Sequence, residues 1–264
     1  MSALSKVRIK GERKPIKAVI YGPPKIGKTT LLTGLPNAIV IQTEEGIAEL
    51  DLPHFPLANS YQDVEDAIAA LCMDEHEYQT LCIDSADWLE NLIFNRVAED
   101  HKGKSIEDIG YGKGYILAMT YWRQLLDGLS VLRDDRGMSV VFLAHSEIKK
   151  FNAPDSEPYD KYNLKLHRFA SDLLIEWCDF LGFMNYVVAI KSKDVGFNKK
   201  SIRGEGSGQR VLYTAERPAF LAGNRFSMPD QIFLPRLPQP SWPEIARYIP
   251  FYSGVSIDHN QTEA

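Results

Sequence analysis

Eight consecutive residues, Gly22, Pro23, Pro24, Lys25, Ile26, Gly27, Lys28 and Thr29, satisfy G-x-x-x-x-G-K-[ST] at every fixed position. An apolar run at residues 18–21 stops directly before them, and residues 29–35 open a helical spacing directly after them. Strand, glycine-bounded turn and helix, in that order, let successive backbone N–H groups curl round a phosphate while the helix N-terminus adds a favourable dipole. The motif predicts a phosphate cradle over residues 22–30, Thr30 included, in which Lys28 reaches the β- and γ-phosphates and the Thr29 hydroxyl ligates Mg²⁺. ATP and Mg²⁺ are the expected cofactors.

The chain around the motif alternates strand and helix patterns. Residues 38–42 and 80–83 read as further strands, and residues 63–72 have helical spacing between them. Residues 115–132 place Met119, Trp122, Leu125, Leu126 and Leu129 on one stripe, and residues 140–143 supply another buried strand. Such βα alternation predicts an α/β fold with a mostly parallel sheet flanked by helices. Beyond His145 the texture changes. Residues 146–163 are polar and Pro-containing and predict a functional loop, followed by a helix over 164–178. Residues 183–191 and 210–214 then read as two strands flanking a Gly- and Lys-rich tip, a C-terminal antiparallel hairpin extension.

The resulting organisation is a basic, flexible start over residues 1–15, one ATPase domain over 16–250 with its hairpin extension at about 183–235, and a tail over 251–264. A chain of 264 residues, 44% hydrophobic, buries a substantial core in one unit. Its net charge of −5 excludes coating nucleic acid through overall charge, so any DNA contact must be local. Cys72, Cys82 and Cys178 form no CxxC pair, which argues against disulfides and zinc. No apolar stretch suits a signal peptide or membrane span, so a cytoplasmic protein without a membrane partner is expected.

A hydrolase needs more than a phosphate cradle. Leu81, Cys82, Ile83 and Asp84 form an apolar strand ending in a carboxylate, which suits Mg²⁺ organisation; capping of the helix that starts near Ala86 is the alternative use of Asp84. No Glu follows Asp84, so the group that activates water is sought at other strand ends. Glu44 and Glu45 stand just past the second strand, at the carboxyl end where open α/β sheets place their chemistry. Glu44 is the first candidate, with helix capping as its bland alternative. His145, at the end of the strand over 140–144, is positioned either to sense a γ-phosphate or to be a buried, satisfied histidine.

These residues resemble the RecA-like ATPases of bacteriophages, a phage AAA-type nucleotide-binding family related to RecA/RadA recombinases and to short single-strand annealing proteins. The resemblance rests on residues 22–30, on Ile41-Gln42-Thr43-Glu44 with Gly46, on Ile83-Asp84-Ser85, on Tyr111-Gly112-Lys113-Gly114-Tyr115, on Leu143-Ala144-His145 and on Gly223-Asn224-Arg225, and covers residues 15–235. It implies a RecA-like P-loop NTPase core, Glu44 as the base that activates water, and His145 as the residue coupling the γ-phosphate to a DNA-binding loop. It further implies a homo-oligomer, ring or filament, in which a neighbouring subunit inserts a Lys or Arg. The chain is too short for the extra helical domain of RecA, and many recombinases carry Gln where His145 stands, so annealing fits better than strand exchange.

Lys149, Lys150, Phe151, Tyr159, Lys161 and Tyr162 mix cations with aromatics in a manner suited to sequence-neutral single-stranded DNA; an ordinary solvated segment, diluted by Glu147, Asp155, Glu157 and Asp160, is the alternative. Lys200, Arg210 and Arg225 are the candidates for a cation supplied in trans. The expected function is Mg²⁺-dependent ATP hydrolysis in phage recombination or single-strand annealing, in the host cytoplasm, with a single-strand binding protein or another recombination protein as a possible partner. A nucleotide-gated regulator or loader without direct DNA chemistry is the alternative. A GTPase is disfavoured because no Asn-Lys-x-Asp motif occurs.

Overall fold

The computed structural model describes residues 12–47, 50–152, 154, 157–194 and 200–253, and their side chains except those of residues 188–207. Five parallel strands form its centre: β1 (Lys17–Gly22), β2 (Ala38–Gln42), β3 (Thr80–Asp84), β4 (Ser139–Phe151) and β6 (Phe180–Asp194). They lie in the order β2-β3-β4-β1-β6, and β7 (Lys200–Tyr213) and β9 (Gln231–Phe233) continue the sheet antiparallel beyond β6. The α/β architecture and the C-terminal antiparallel extension are those the sequence pattern predicts.

The side chains of each central strand alternate between two cores, as the period of two requires. Val19, Tyr21, Val140 and Phe142 face α2 (Tyr61–Met73), α3 (Ala86–Asp100), α4 (Lys113–Asp135) and α5 (Arg168–Trp177). Ala18, Ile20, Val141 and Leu143 face α1 (Lys28–Leu32) and α6 (Trp242–Ala246). Burial on both faces explains why the strands read as continuous apolar runs. The stripe predicted on α4 is fully used, because Met119, Trp122, Leu125, Leu126 and Leu129 are all buried. The Pro-rich C-terminal stretch also packs: Trp242, Ile245 and Ile249 close the second core. Among the described residues no helix is long and apolar enough to cross a membrane.

The structure corrects two local expectations. Residues 146–163 are not simply a loop: β4 runs on to Phe151 and pairs antiparallel with β5 (Tyr159–Leu164), from Ser146 opposite Leu164 to Phe151 opposite Tyr159. This hairpin projects past the body of the sheet, so its outer residues, such as Lys149 and Lys150, meet water and lack the apolar alternation that marks a half-buried strand. The predicted helix over 164–178 starts at Arg168, because buried Leu164 closes β5. The C-terminal hairpin is longer than predicted, with β6 and β7 paired from Phe183 opposite Tyr213 to Asp194 opposite Lys200.

The strand order places β1 between β4 and β6, and the fit at its end is tight. A Cβ on Gly22 would stand 2.3 Å from the Met184 carbonyl oxygen on β6, so any side chain there must drive the two strands apart. Gly22→Ala is therefore expected to destabilise the protein by about 1–3 kcal/mol, the usual cost of overpacking, read as a lowered denaturant midpoint with little change in slope.

Candidate nucleotide-binding site

The turn after β1 folds as its composition dictates. Gly27 has φ +90°, in the left-handed region that glycine enters without steric cost, and α1 begins at the next residue. Lys28 is buried, and its Nζ donates to the carbonyls of Gly22 at 3.1 Å and Pro23 at 3.0 Å, which curls the turn round the ammonium group. Burial pulls the Lys28 ammonium below its ordinary pKa, opposed by the carboxylates of Asp84, Asp87 and Glu44. Those three acids thus converge on the lysine from three elements.

Two of the acids are set by strand ends locked together. The Thr43 backbone N–H donates to the Asp84 carbonyl at 2.8 Å, its hydroxyl donates to the Ser85 carbonyl at 2.8 Å, and the Ser85 N–H donates back to that hydroxyl at 2.8 Å. β2 and β3 therefore finish level, with Glu44 one residue beyond Thr43. The Asp84 carboxylate is buried and accepts a 2.7 Å hydrogen bond from the Thr29 hydroxyl. It does not cap α3, whose N-cap is Ser85. Burial pushes the Asp84 pKa up to about 6, the Thr29 hydrogen bond opposes this, and Glu44 adds to it. A hydroxyl and a carboxylate held together, both hard oxygen donors, fit Mg²⁺, which takes one or two protein ligands and leaves the rest of its shell to phosphate and water.

β4 brings the third group. His145 pairs in register with Gly22, so it stands beside the phosphate turn. Its backbone N–H donates to Asp87 Oδ1 at 3.0 Å, and its Nδ1 lies 3.0 Å from Asp87 Oδ2 and 3.9 Å from Glu44 Oε1. Burial would raise the Asp87 carboxyl, but the hydrogen bonds from His145 outweigh it and hold the pKa below its ordinary value. An ionised Asp87 only accepts, which fixes Nδ1 as the protonated ring nitrogen. Sequence reasoning missed Asp87. The available signal was its place three residues after Asp84, in the first turn of α3, one helical turn from the strand end that carries the chemistry.

Lys28, Thr29, Asp84, Glu44 and His145 are thus gathered at adjoining strand ends; of the cations proposed for a neighbour's site, Arg210 adjoins the turn within its own chain and Arg225 lies apart. Arg210, on β7, is buried against the phosphate turn of the same chain: Nη1 donates to the Ile26 carbonyl at 3.3 Å, and Nη2 to the Pro235 carbonyl at 2.5 Å and the Ser241 hydroxyl at 3.1 Å. That geometry is a brace within the chain. Arg225 follows β8 (Gly223–Asn224), which pairs with the start of β6 at the opposite end of the strands, and it meets Asp179 at 3.1 Å. The Lys200 side chain lies outside the described ones.

The β4–β5 hairpin carries the DNA candidates, unequally presented. Lys150 and Phe151 are exposed, and the Phe151 and Tyr159 rings lie 5.4 Å apart. Lys149 pairs with Glu147 at 2.7 Å. Lys161 is buried, donates to Glu216 at 2.5 Å and lies 4.9 Å over the Phe151 ring, while Tyr162 packs on Phe183, centroids 5.0 Å apart. Lys149, Phe151 and Tyr159 therefore share one face of the hairpin with Lys161, while exposed Lys150 stands on the other face.

A family model described as AAA domain matches residues 14–226. No curated protein matches the chain. Among solved structures, the crystal structure of the RadB recombinase aligns with 84% of this chain and 88% of that one, at 14% identity and a TM-score of 0.46.

The burial of Asp84 makes a stability prediction. An acid whose pKa is about 6 when folded, against an ordinary 3.8, holds its proton more tightly in the native state. Its contribution is fully present below about pH 3.8 and is lost as pH rises through 6. Asp84→Asn keeps an acceptor for Thr29 and removes the charge, so without nucleotide the variant should be more stable than wild type at pH 8, by up to about 3 kcal/mol. Urea unfolding at pH 4, 6 and 8 should show that gap shrinking towards zero at the acid end.

Proposed function

From the premise that the chain belongs to the AAA domain family of P-loop NTPases, we propose that it binds ATP with Mg²⁺, hydrolyses it, and uses the cycle on single-stranded DNA in phage recombination or strand annealing, as an oligomer. The observation that carries the hydrolytic part is the convergence of Glu44, Asp87 and Asp84 on buried Lys28, with His145 held between Asp87 and Glu44.

In this reading Lys28 leaves the Gly22 and Pro23 carbonyls for the β- and γ-phosphate oxygens, and the backbone N–H groups of residues 22–30 hold the remaining oxygens. Mg²⁺, when bound beside Thr29 and Asp84, offsets the phosphate charge. Glu44 accepts a proton from water as the water oxygen bonds to the γ-phosphorus and the bond to the bridging oxygen breaks, releasing ADP and phosphate. Asp87 keeps the His145 ring oriented beside Gly22, so that the ring meets the γ-phosphate region in one orientation. Arg225 and Lys200 remain the candidates for a cation presented to a neighbouring subunit; Arg210 acts within its own.

The exposed lysines and the tilted Phe151–Tyr159 ring pair of the β4–β5 hairpin support the DNA-binding part, since cations beside aromatic faces suit phosphates and unpaired bases together. A second reading, a nucleotide-gated loader, draws on Arg210, which ties the β6–β7 hairpin to the phosphate turn without any need for DNA.

Lys28→Ala should abolish ATP binding. Glu44→Gln should retain ATP but lower turnover by about 10²- to 10⁴-fold, the range of a lost general base; unchanged turnover removes Glu44 from the role. Single-stranded oligonucleotide should raise wild-type turnover at low salt, with the effect fading as salt rises. If saturating oligonucleotide alters neither turnover nor the protein's mobility in native gels, the DNA reading fails and the loader reading stands.

Replacing both exposed hairpin groups, Lys150→Ala with Phe151→Ala, should weaken oligonucleotide binding by about 1–3 kcal/mol for the lost stack and lessen the salt dependence, while ATP turnover without DNA stays at the wild-type level.

A further inference from the structure

Outside the cluster of Lys28, Asp84, Glu44 and His145, one cleft is lined by residues that adjoin the phosphate turn. It has a volume of about 270 Å³ and is lined by Tyr186 on β6, Arg210 on β7, and Pro235, Arg236 and Leu237 on the segment that follows β9. It abuts Gly27: a Cβ built there would lie 2.7 Å from Arg210 Nη1 and 3.0 Å from a Leu237 methyl. We infer that this cleft is the subsite for the base and sugar of the nucleotide, with Tyr186 and Leu237 as the groups that contact the base. The inference rests on the nucleotide reading of the phosphate turn and extends it to the other end of the ligand.

Direction comes first. Asp84, Glu44 and His145 all stand on the β2–β3–β4 side of β1, so the γ-phosphate end of a nucleotide points that way. β1 has only one other neighbour, β6, so the sugar end must leave towards β6 and β7. Tyr186 lies three residues beyond Phe183, the partner of Tyr21, and therefore rises past the end of β1 on that side. It has the side-chain parity of Met184, which belongs to the core shared with α1, so it stands on the face of the sheet from which the phosphate turn emerges.

Charge supplies a second, independent indication. Arg210 is 4% exposed, yet no carboxylate among the described residues pairs with it, and its Nε has no hydrogen-bond partner. Its other two nitrogens are spent on two carbonyls and a hydroxyl. A buried cation without a counter-charge is costly, and an anionic ligand at the adjoining turn offsets that cost. The phosphate nearest the sugar would lie between the Lys28 cradle and this guanidinium.

Surface chemistry gives the third. Tyr186 and Leu237 are both exposed although large and apolar, at 41% and 45%. Together they offer an aromatic and an aliphatic surface at the mouth of a cleft with a cationic floor, which matches a planar base joined to a phosphate chain.

The test compares ATP with inorganic tripolyphosphate, which has the phosphates without the nucleoside, by calorimetric titration of the full chain in Mg²⁺. Wild type should bind ATP more tightly than tripolyphosphate. Tyr186→Ala and Leu237→Ala should each weaken ATP about tenfold, the scale of one base–aromatic contact, and leave tripolyphosphate unchanged within about twofold. Leu237→Trp should change its fluorescence with ATP and not with tripolyphosphate, a signal that does not depend on loss of affinity.

The subsite is overturned alone if wild type binds both ligands equally, if the alanine variants keep full ATP affinity, if they lose both ligands in parallel, or if Leu237→Trp responds alike to both. Wild type that binds neither ligand overturns the nucleotide reading itself, and the subsite with it.

Discussion

The hydrogen bond from the Thr29 hydroxyl to the Asp84 carboxylate joins the turn after β1 to the end of β3, two strands away across β4. It requires the registers of β1, β4 and β3 to be fixed relative to one another. The parallel registers supply this: Gly22 is opposite His145, Asp84 is opposite Leu143, and Gln42 is opposite Asp84. A shift of one residue in any of these ladders would turn every alternate side chain to the wrong core and carry Thr29 away from Asp84. The apolar alternation that fixes the two cores and the polar contact that builds the site are therefore one constraint, expressed at the two levels of packing and chemistry.

The same arrangement concentrates ionisable groups where water is scarce. Lys28, Asp84, Asp87 and Arg210 are all buried, and Asp84 and Lys28 both shift in the direction that burial imposes on them. A protein selected only for stability would replace such groups with apolar ones of the same volume. Their presence at one edge of an otherwise apolar sheet is the familiar trade of local stability against a site able to receive a charged ligand.

The central strands were legible because strands buried on both faces must be apolar throughout, and the phosphate turn was legible because its conformation demands glycine at Gly27 and a close approach at Gly22. Residues 146–163 were not, because a hairpin that leaves the sheet is solvated and its polar residues resemble a loop. Asp87 was hidden for a different reason. Its role depends on β4 lying beside β3, a pairing between strands 59 residues apart in register, Thr80 with Ser139 at one end, that no local pattern announces. The surroundings of Arg210 were not legible either: it belongs to a Lys- and Arg-rich stretch, and nothing local announces that its guanidinium meets the Ile26 carbonyl.

Two hairpins leave the sheet on either side of β1, and each is rooted in a residue that touches the phosphate turn. β4 carries His145 beside Gly22 and six residues later reaches exposed Phe151. β7 descends from its pairing with β6 to place Arg210 against Ile26 and Gly27. A rearrangement of the turn on ligand binding must disturb Lys28's bonds to Gly22 and Pro23, and those carbonyls lie between the two roots. The fold therefore connects two outward extensions to one buried turn, through His145 beside Gly22 and Arg210 against Ile26.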